Sequence, residues 1–420
     1  MNLKIKNLNM FLNIYKMTTR NILFAILYLF PYIISAQGLV FTSKEDLSQV
    51  DQYIEEDRGF TSYLPNKYSL EKYAPAIMAQ DGGSCVGWST CYSAASILHN
   101  IDRNITNSFE KRAFAFDPYY MYSIMKHQSK KDCSEGLDFI DAMRFFEDWG
   151  TKRWAMPPWL SCNTEWSESW LDNIQYQSQP FTIDNYYKLD VSDIDLLKKQ
   201  IYDKSPVIIG AYIGESFGPL SSGSGRIGAS GLWNPDYKND SDISGHAMTI
   251  VAYDDYKFGG AFKIMNSWGT SFGDNGYVWI KYSDFTNVVA EAWKISKSSF
   301  KDVSTNNYKQ ITYTGGDTYE GNYNDNGKHM FGVYQWKTSG NMYFGYWYND
   351  NRDGEGLYFN FMQKEVFYCE YEDDILLESE SLGFSDEDNI QTDIEIYLEK
   401  FNIGLKFSNA DPSTVIPDIE

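Results

Sequence analysis

The sequence predicts an α+β fold in two lobes, helices first and strands second, followed by a C-terminal module of β-hairpins. Three observations predict it. Between residues 85 and 150 apolar residues recur at helical spacing, and the first of these segments carries no charge until Asp102, which marks a helix buried on all sides. After about residue 180, short β-branched and aromatic runs are separated by Asp and Gly pairs, as strands and their turns are. From about residue 311 an aromatic–x–Gly–x–aromatic pattern returns every 24 residues, and a fixed period of that length is the signature of stacked supersecondary units. Helices and strands segregated along the chain pack as separate lobes with a cleft between them.

Composition bounds the function. Of the 420 residues 43% are hydrophobic, enough for a substantial core. The formal charge of −21 repels phosphates, so no nucleic-acid partner is expected. Residues 301–420 hold 8 Lys/Arg against 23 Asp/Glu, which reads as a solvated acidic surface. Such a surface is poorly matched to anionic lipid, so membrane binding is not expected either.

Residues 1–36 read as a signal peptide. The apolar run 21–36 follows Lys16 and Arg20, ends in Ile-Ser-Ala, and is too short for a comfortable membrane span. Met17 is an alternative start. Cleavage is expected between Ala36 and Gln37, which makes the chain periplasmic or secreted. Export makes disulfides stable, and the odd count of five cysteines leaves at least one thiol unpaired.

Residues 37–65 are polar and weakly periodic and read as an N-terminal strap or a short pro-segment. The run CVGWSTCYSAASILHN from Cys85 is the buried helix, and 116–126 and 137–150 are further helices. In the last, Phe139, Ala142, Met143, Phe145 and Phe146 form one stripe, with Gly150 as a cap. Strands are expected at 206–213, 247–253 and 261–265, the last two joined through Asp254, Asp255 and Gly259-Gly260.

In the repeat, Tyr319, Gly321 and Tyr323 return as Tyr343, Gly345 and Trp347, then as Phe367, Cys369 and Tyr371. Residues two apart lie on one face of a strand. Asn326-Gly327 and Asp353-Gly354 stand where hairpins would turn. The pattern resembles the MORN repeat, whose units read roughly Y-x-G-x-W with a later G-x-G, and covers 311–374. That resemblance implies a folded accessory module and a possible protein partner. Residues 375–420 are an acidic segment in which Ile394, Ile396 and Leu398 alternate as in a further strand.

A thiol becomes a nucleophile when its surroundings favour the anion, as a helix N-terminus does. Cys85 follows Gly82-Gly83-Ser84 and opens the buried helix. Gln80-Asp-Gly-Gly-Ser-Cys85-Val-Gly-Trp-Ser is similar to the nucleophile motif of the papain-like cysteine peptidases. Gly245-His246-Ala247-Met248 with the apolar run behind it is similar to that family's histidine strand. Asn266-Ser267-Trp268-Gly269-Thr-Ser-Phe-Gly273-Asp-Asn-Gly276-Tyr277 is similar to its asparagine loop. The three stand in the family's order across 66–298, and Pro206-Val207 before the intervening strand fits as well.

The resemblance implies a two-lobed papain-like fold and peptide-bond hydrolysis through a Cys85 acyl-enzyme. His246 would move the proton, Asn266 would orient the imidazole, and Trp268 would shield that pair from water. Gln80 would donate to the oxyanion beside the Cys85 N–H, although it stands five positions before the cysteine where the family spaces six. The expected substrate is a peptide or protein, and no metal or organic cofactor is implied. Cys133 and Cys162 are read as a disulfide rather than a metal site, because no histidine cluster accompanies them. Cys91 is read as a packed thiol, Cys369 as an unpaired one, and His99, His127 and His329 as surface or packing residues. The rival functions are a catalytically silent papain-like binding domain and acyl or peptidyl transfer on the same triad.

Overall fold

A computed structural model of the chain describes residues 38–54, 64–154, 160–162, 164, 181–218, 227–236, 243–296 and 308–382. Residues 1–36, read from the sequence as a signal peptide, the Pro157-Pro158 pair and the strand expected around Ile394 lie outside the described residues.

The helical lobe comes first. After a short helix α1 (Lys44–Ser48), one helical run, α2, extends from 85 to 102. It begins as an α-turn at Cys85–Gly87, loosens into a π-helix at Trp88–Ala95 and closes as an α-helix at Ser96–Asp102. Its first two segments are buried residue by residue, as a charge-free helix must be. A π-helical turn inside an α-helix is rare and tends to accompany function. Helix α3 (Ser108–Ala113) is followed by α4 (Pro118–Ser129) and α5 (Phe139–Asp148). Asp117 caps α4, with Pro118 in its first turn, and Asp138 caps α5. Both helices start two residues later than periodicity suggests, because the capping carboxylates set the boundary. Gly150 adopts a positive φ of 69° just past α5, as expected of a helix-terminating glycine.

The second lobe is built on an eight-stranded sheet among the described residues. Its strands are β1 (Lys67–Ser69), β2 (Asn185–Lys188), β3 (Val207–Ile213), β4 (Leu232–Trp233), β5 (Ser244–Asp254), β6 (Ala261–Met265), β7 (Tyr277–Lys281) and β8 (Val289–Ser296). They are ordered β2-β8-β3-β5-β6-β7-β4, with β1 beside β5. Helices α6 (Ile194–Tyr202) and α7 (Tyr282–Val288) flank the sheet. Buried residues of α2, α4, α5 and the central strands form one continuous core.

The last part is, among the described residues, a seven-stranded antiparallel meander: β9 (Tyr308–Thr312), β10 (Thr318–Asn324), β11 (Gly327–Gln335), β12 (Met342–Tyr348), β13 (Asn351–Asn360), β14 (Glu365–Glu372) and β15 (Ile375–Ser381). Gly321, Gly332, Gly345, Gly356 and Cys369 fall opposite one another across five strands. The Tyr319 and Tyr343 rings lie over that row: a Cβ on Gly332 would fall 2.3 Å from the Tyr319 hydroxyl, and one on Gly345 2.4 Å from that of Tyr343. The period is visible in the contacts themselves. Tyr319 meets Trp347 edge-on at 5.7 Å, and 24 residues later Tyr343 meets Tyr371 at 5.5 Å. Lys328 pairs with Asp350, and Arg352 likewise with Asp374.

Two sequence expectations about this module are corrected. Asp353-Gly354 is not a hairpin turn but lies inside β13. The β12–β13 turn is Asn349-Asp350, with φ of 46° and 76°, and the β14–β15 turn is Asp373-Asp374, with φ of 48° and 66°. Asn and Asp accept the left-handed region through their short polar side chains. The sheet also continues to Ser381, past the boundary read at residue 374, because β15 pairs with β14.

Candidate active site

Cys85 sits at the head of α2, in the turn that follows Gly82-Gly83. The Gly83 N–H donates to the Cys133 carbonyl at 2.6 Å, and a Cβ on Gly82 would lie 2.1 Å from that oxygen and 3.0 Å from Cys162 Sγ. Cys133 and Cys162 are joined as a disulfide with Cα atoms 5.7 Å apart. The bridge therefore forms the floor on which the turn before Cys85 rests, and only glycines fit against it.

His246 lies on β5 and Asn266 follows β6, so neighbouring strands bring the two side chains together. The His246 Nε2 and Asn266 Oδ1 atoms are 2.8 Å apart. In this pairing Nε2 donates to the Asn266 amide oxygen, which leaves Nδ1, with no other hydrogen bond, unprotonated. The next residue, Ala247, donates its N–H toward Cys85 Sγ at 3.4 Å, which fixes the thiol against the histidine strand. Trp268 stands 5.0 Å from the His246 ring. Phe217, which the sequence reading missed, lies 5.8 Å from His246 and 5.2 Å from Trp268. These rings cover the imidazole–amide pair. Phe217 belongs to a short 3₁₀ turn after β3, and no local pattern in its segment points to the site.

Gln80 is held from two sides. Its amide nitrogen donates to the Gly82 carbonyl at 2.8 Å, and its amide oxygen accepts from Ser267 Oγ at 2.6 Å. Main-chain pairing of Gln80 with Ser267 and of Ala79 with Trp268 ties this loop to the asparagine loop. An amide nitrogen carries two protons, so Gln80 keeps one beyond its bond to Gly82.

The cleft is occupied by the chain's own N-terminal strap. The Val40 N–H donates to the Leu137 carbonyl, the Leu137 N–H donates to the Gly38 carbonyl, and the Leu39 N–H donates to the Gly245 carbonyl at 3.2 Å. The strap thus bonds to both lobes. A Cβ on Gly38 would lie 2.6 Å from Cys85 Sγ, so the strap backbone rests directly on that thiol. Farther along, the Tyr53 N–H donates to the Lys188 carbonyl and Lys188 Nζ donates to the Leu47 carbonyl, which anchors the strap on β2.

Under this cover both Cys85 and His246 are fully buried. Burial pushes the Cys85 thiol up to about 12 and the His246 imidazole down to about 4. Both shifts favour the neutral thiol and the neutral imidazole over an ion pair while the cleft is covered. Cys91, six residues farther along α2, is equally buried and is likewise raised to about 12. His99 is buried against Arg153, and His329 lies in the C-terminal sheet.

Comparisons with known proteins agree with this architecture. A family model described as papain family cysteine protease matches residues 79–297. The structure of xylellain, a cysteine protease from Xylella fastidiosa, matches with a TM-score of 0.50 and 20% identity, over 63% of this chain and 97% of that one. Procathepsin B S9 from Trypanosoma congolense matches at 0.48 with 13% identity, over 64% of this chain and 90% of that one. Digestive procathepsin L 3 from Tenebrio molitor larval midgut matches at 0.45 with 17% identity, over 63% and 77%. No curated protein matches this chain.

Proposed function

The chain belongs to the papain family of cysteine proteases, and from that premise we propose that it is an exported cysteine endopeptidase using Cys85, His246 and Asn266, held latent by residues 38–43. The observation that carries this reading is the 2.8 Å pair between His246 Nε2 and Asn266 Oδ1, set one residue from the main-chain N–H that touches Cys85 Sγ.

The chemistry follows from those positions. When the strap withdraws, water enters and the charged forms of Cys85 and His246 are no longer penalised. The thiol proton passes to His246 Nδ1, and the thiolate attacks the carbonyl carbon of the scissile bond. The charge that develops on the carbonyl oxygen is met by the Cys85 N–H and by the remaining Gln80 amide proton. His246 returns its proton to the departing amine as the C–N bond breaks. A water molecule, deprotonated by His246, then attacks the thioester and releases the acid and the thiol. Asn266 keeps the ring in the required tautomer throughout. In this reading the 308–382 sheet is an accessory module of MORN-like repeats that offers a surface to a protein partner.

The test is covalent labelling by an epoxide inhibitor of papain-like enzymes together with turnover of a fluorogenic peptide. Cys85→Ala should abolish both while leaving the fold intact. Full activity in Cys85→Ala, or a label on Cys91, would overturn the assignment. A folded chain that binds peptides without turning them over would favour the silent binding domain. Transfer of the acyl group to an added amine in preference to water would favour the transferase.

A further inference from the structure

A cavity of about 560 Å³ lies beside the asparagine loop, outside the cleft that the strap covers. Residues 74–77 form an apolar wall, Lys111 and Arg112 of α3 a basic one, and Thr270, Ser271 and Asn275 a wall of hydroxyl and amide groups. Glu71, the acid among the lining residues, is already engaged, because Lys263 Nζ donates to its carboxylate at 2.6 Å. Both charged side chains that α3 brings to the cavity are cations, in a chain whose formal charge is −21. Arg112 stands close to the apolar wall. The Tyr92 hydroxyl donates to the Ala76 carbonyl at 2.7 Å, and its pKa is raised by burial and drawn back by the Arg112 charge. Two of the walls lead directly to the candidate active site. Gln80 stands three residues beyond Ile77, and Trp268 two before Thr270. The Gly269 N–H donates to the Met78 carbonyl at 3.1 Å and the Gln80 N–H to the Ser267 carbonyl at 2.7 Å, which laces the two loops together.

We propose that this cavity binds a small organic carboxylate, and that the ligand clamps together the loops carrying Gln80 and Trp268. The volume is that of a small-molecule site, and an apolar wall faced by a few convergent polar groups is the usual lining of one. The carboxylate lies against Arg112, whose planar fork matches it with two parallel bonds, and Lys111 adds a second charge. A guanidinium and an ammonium each carry several N–H donors, so both serve a ligand besides any partner within the chain. The apolar body of the ligand lies along residues 74–77. A neutral ligand of the same shape gains the apolar contact alone, and inorganic phosphate gains the charge alone. Because the ligand touches residues 74–77 and the asparagine loop together, it binds the laced arrangement of the loops better than a parted one and shifts the equilibrium toward it.

Calorimetry of the full chain with naphthoate, its neutral amide naphthamide and inorganic phosphate tests the site. Naphthoate should bind saturably, and the amide and phosphate should each bind at least about tenfold more weakly. Arg112→Gln should weaken naphthoate by at least about tenfold. Ser271→Trp alters an exposed position on the opposite wall and should abolish binding by filling the cavity. Hydrogen exchange tests the clamp. With naphthoate at about a hundred times its Kd, the Gln80 and Gly269 amides should exchange at least about tenfold more slowly, because parting the loops releases the ligand. Neither measurement needs turnover, so both stand whether or not the chain proves to be a peptidase. No binding of naphthoate, equal binding of the amide or of phosphate, or unchanged affinity in either variant would overturn the site. Exchange indifferent to saturating naphthoate would overturn the clamp.

Discussion

Gly38 has no room for a side chain, since a Cβ there would meet Cys85 Sγ at 2.6 Å and the Gly83 carbonyl oxygen at 2.5 Å. Both contacts are far inside van der Waals distance, so Gly38→Val should be unable to seat the strap. Peptide turnover by that variant should exceed that of the unaltered chain, and equal turnover would show that the strap does not limit access. The His246 imidazole adds a pH dependence. Its pKa falls from 6.5 to about 4 in the covered state, so the uncovered state binds more protons between those values. Stability of the covered state from this group is complete above pH 6.5 and is lost as pH falls toward about 4. Exchange protection of the Leu39 and Val40 amides, corrected for intrinsic rates, should fall over that window. Protection flat across it would refute this role of His246. At the site itself, Asn266→Ala should leave partial activity because Asn266 takes no proton. Gln80→Ala should cost about 10²–10³ in kcat if its free amide proton meets the oxyanion.

At the scale of elements, the repeat is a device for stacking rings on glycines. Gly345 is the sharpest case, with the Tyr343 hydroxyl 2.4 Å and the Gly356 Cα 2.8 Å from a would-be Cβ. Gly345→Val should destabilise the sheet by about 1–3 kcal/mol through overpacking, as denaturant unfolding would measure. Gly315, with nothing within 4 Å of a would-be Cβ, should tolerate alanine. The module also docks on the helical lobe. Glu320 of β10 lies 3.3 Å from Arg153 and 3.3 Å from Arg103, and Arg153 is itself buried against the Phe114, Phe116 and Phe181 rings. Glu320→Ala leaves a buried guanidinium without this carboxylate and should cost about 3 kcal/mol. A loss below half a kilocalorie, or about 0.5 kcal/mol, would mean that the pair behaves as a surface bridge.

For the whole molecule, the contact between lobe and module predicts cooperative unfolding. Ile105, Ala113 and Phe114 of the helical lobe share one apolar cluster with Val333, Met342, Phe344, Leu357, Phe359, Val366 and Tyr368 of the sheet. Two bodies joined by a shared core melt together, so calorimetry should record one transition. Two well-separated transitions would show that the module folds independently. The Cys133–Cys162 bridge spans a sequence separation of 29, and in the chain-entropy model it contributes about 3–4 kcal/mol. Because the turn before Cys85 rests on it, its reduction should lower activity as well as stability.

By itself the sequence determined the family and the order of the lobes. A cysteine at a helix start, a histidine on a strand and an asparagine in a glycine-bearing loop are each local arrangements, and local patterning records them. The 24-residue period was legible for the same reason, although its turns were misplaced because Asn349-Asp350 and Asp373-Asp374 carry no glycine. Tertiary structure alone decided what covers the site and what lines it. Thr42 reaches Glu291 across 249 residues and Arg153 reaches Glu320 across 167. Strap residues 38–43 are short and only weakly periodic. Their role comes from where the two lobes leave a gap, which is a property of the packed core and not of any segment's own propensity.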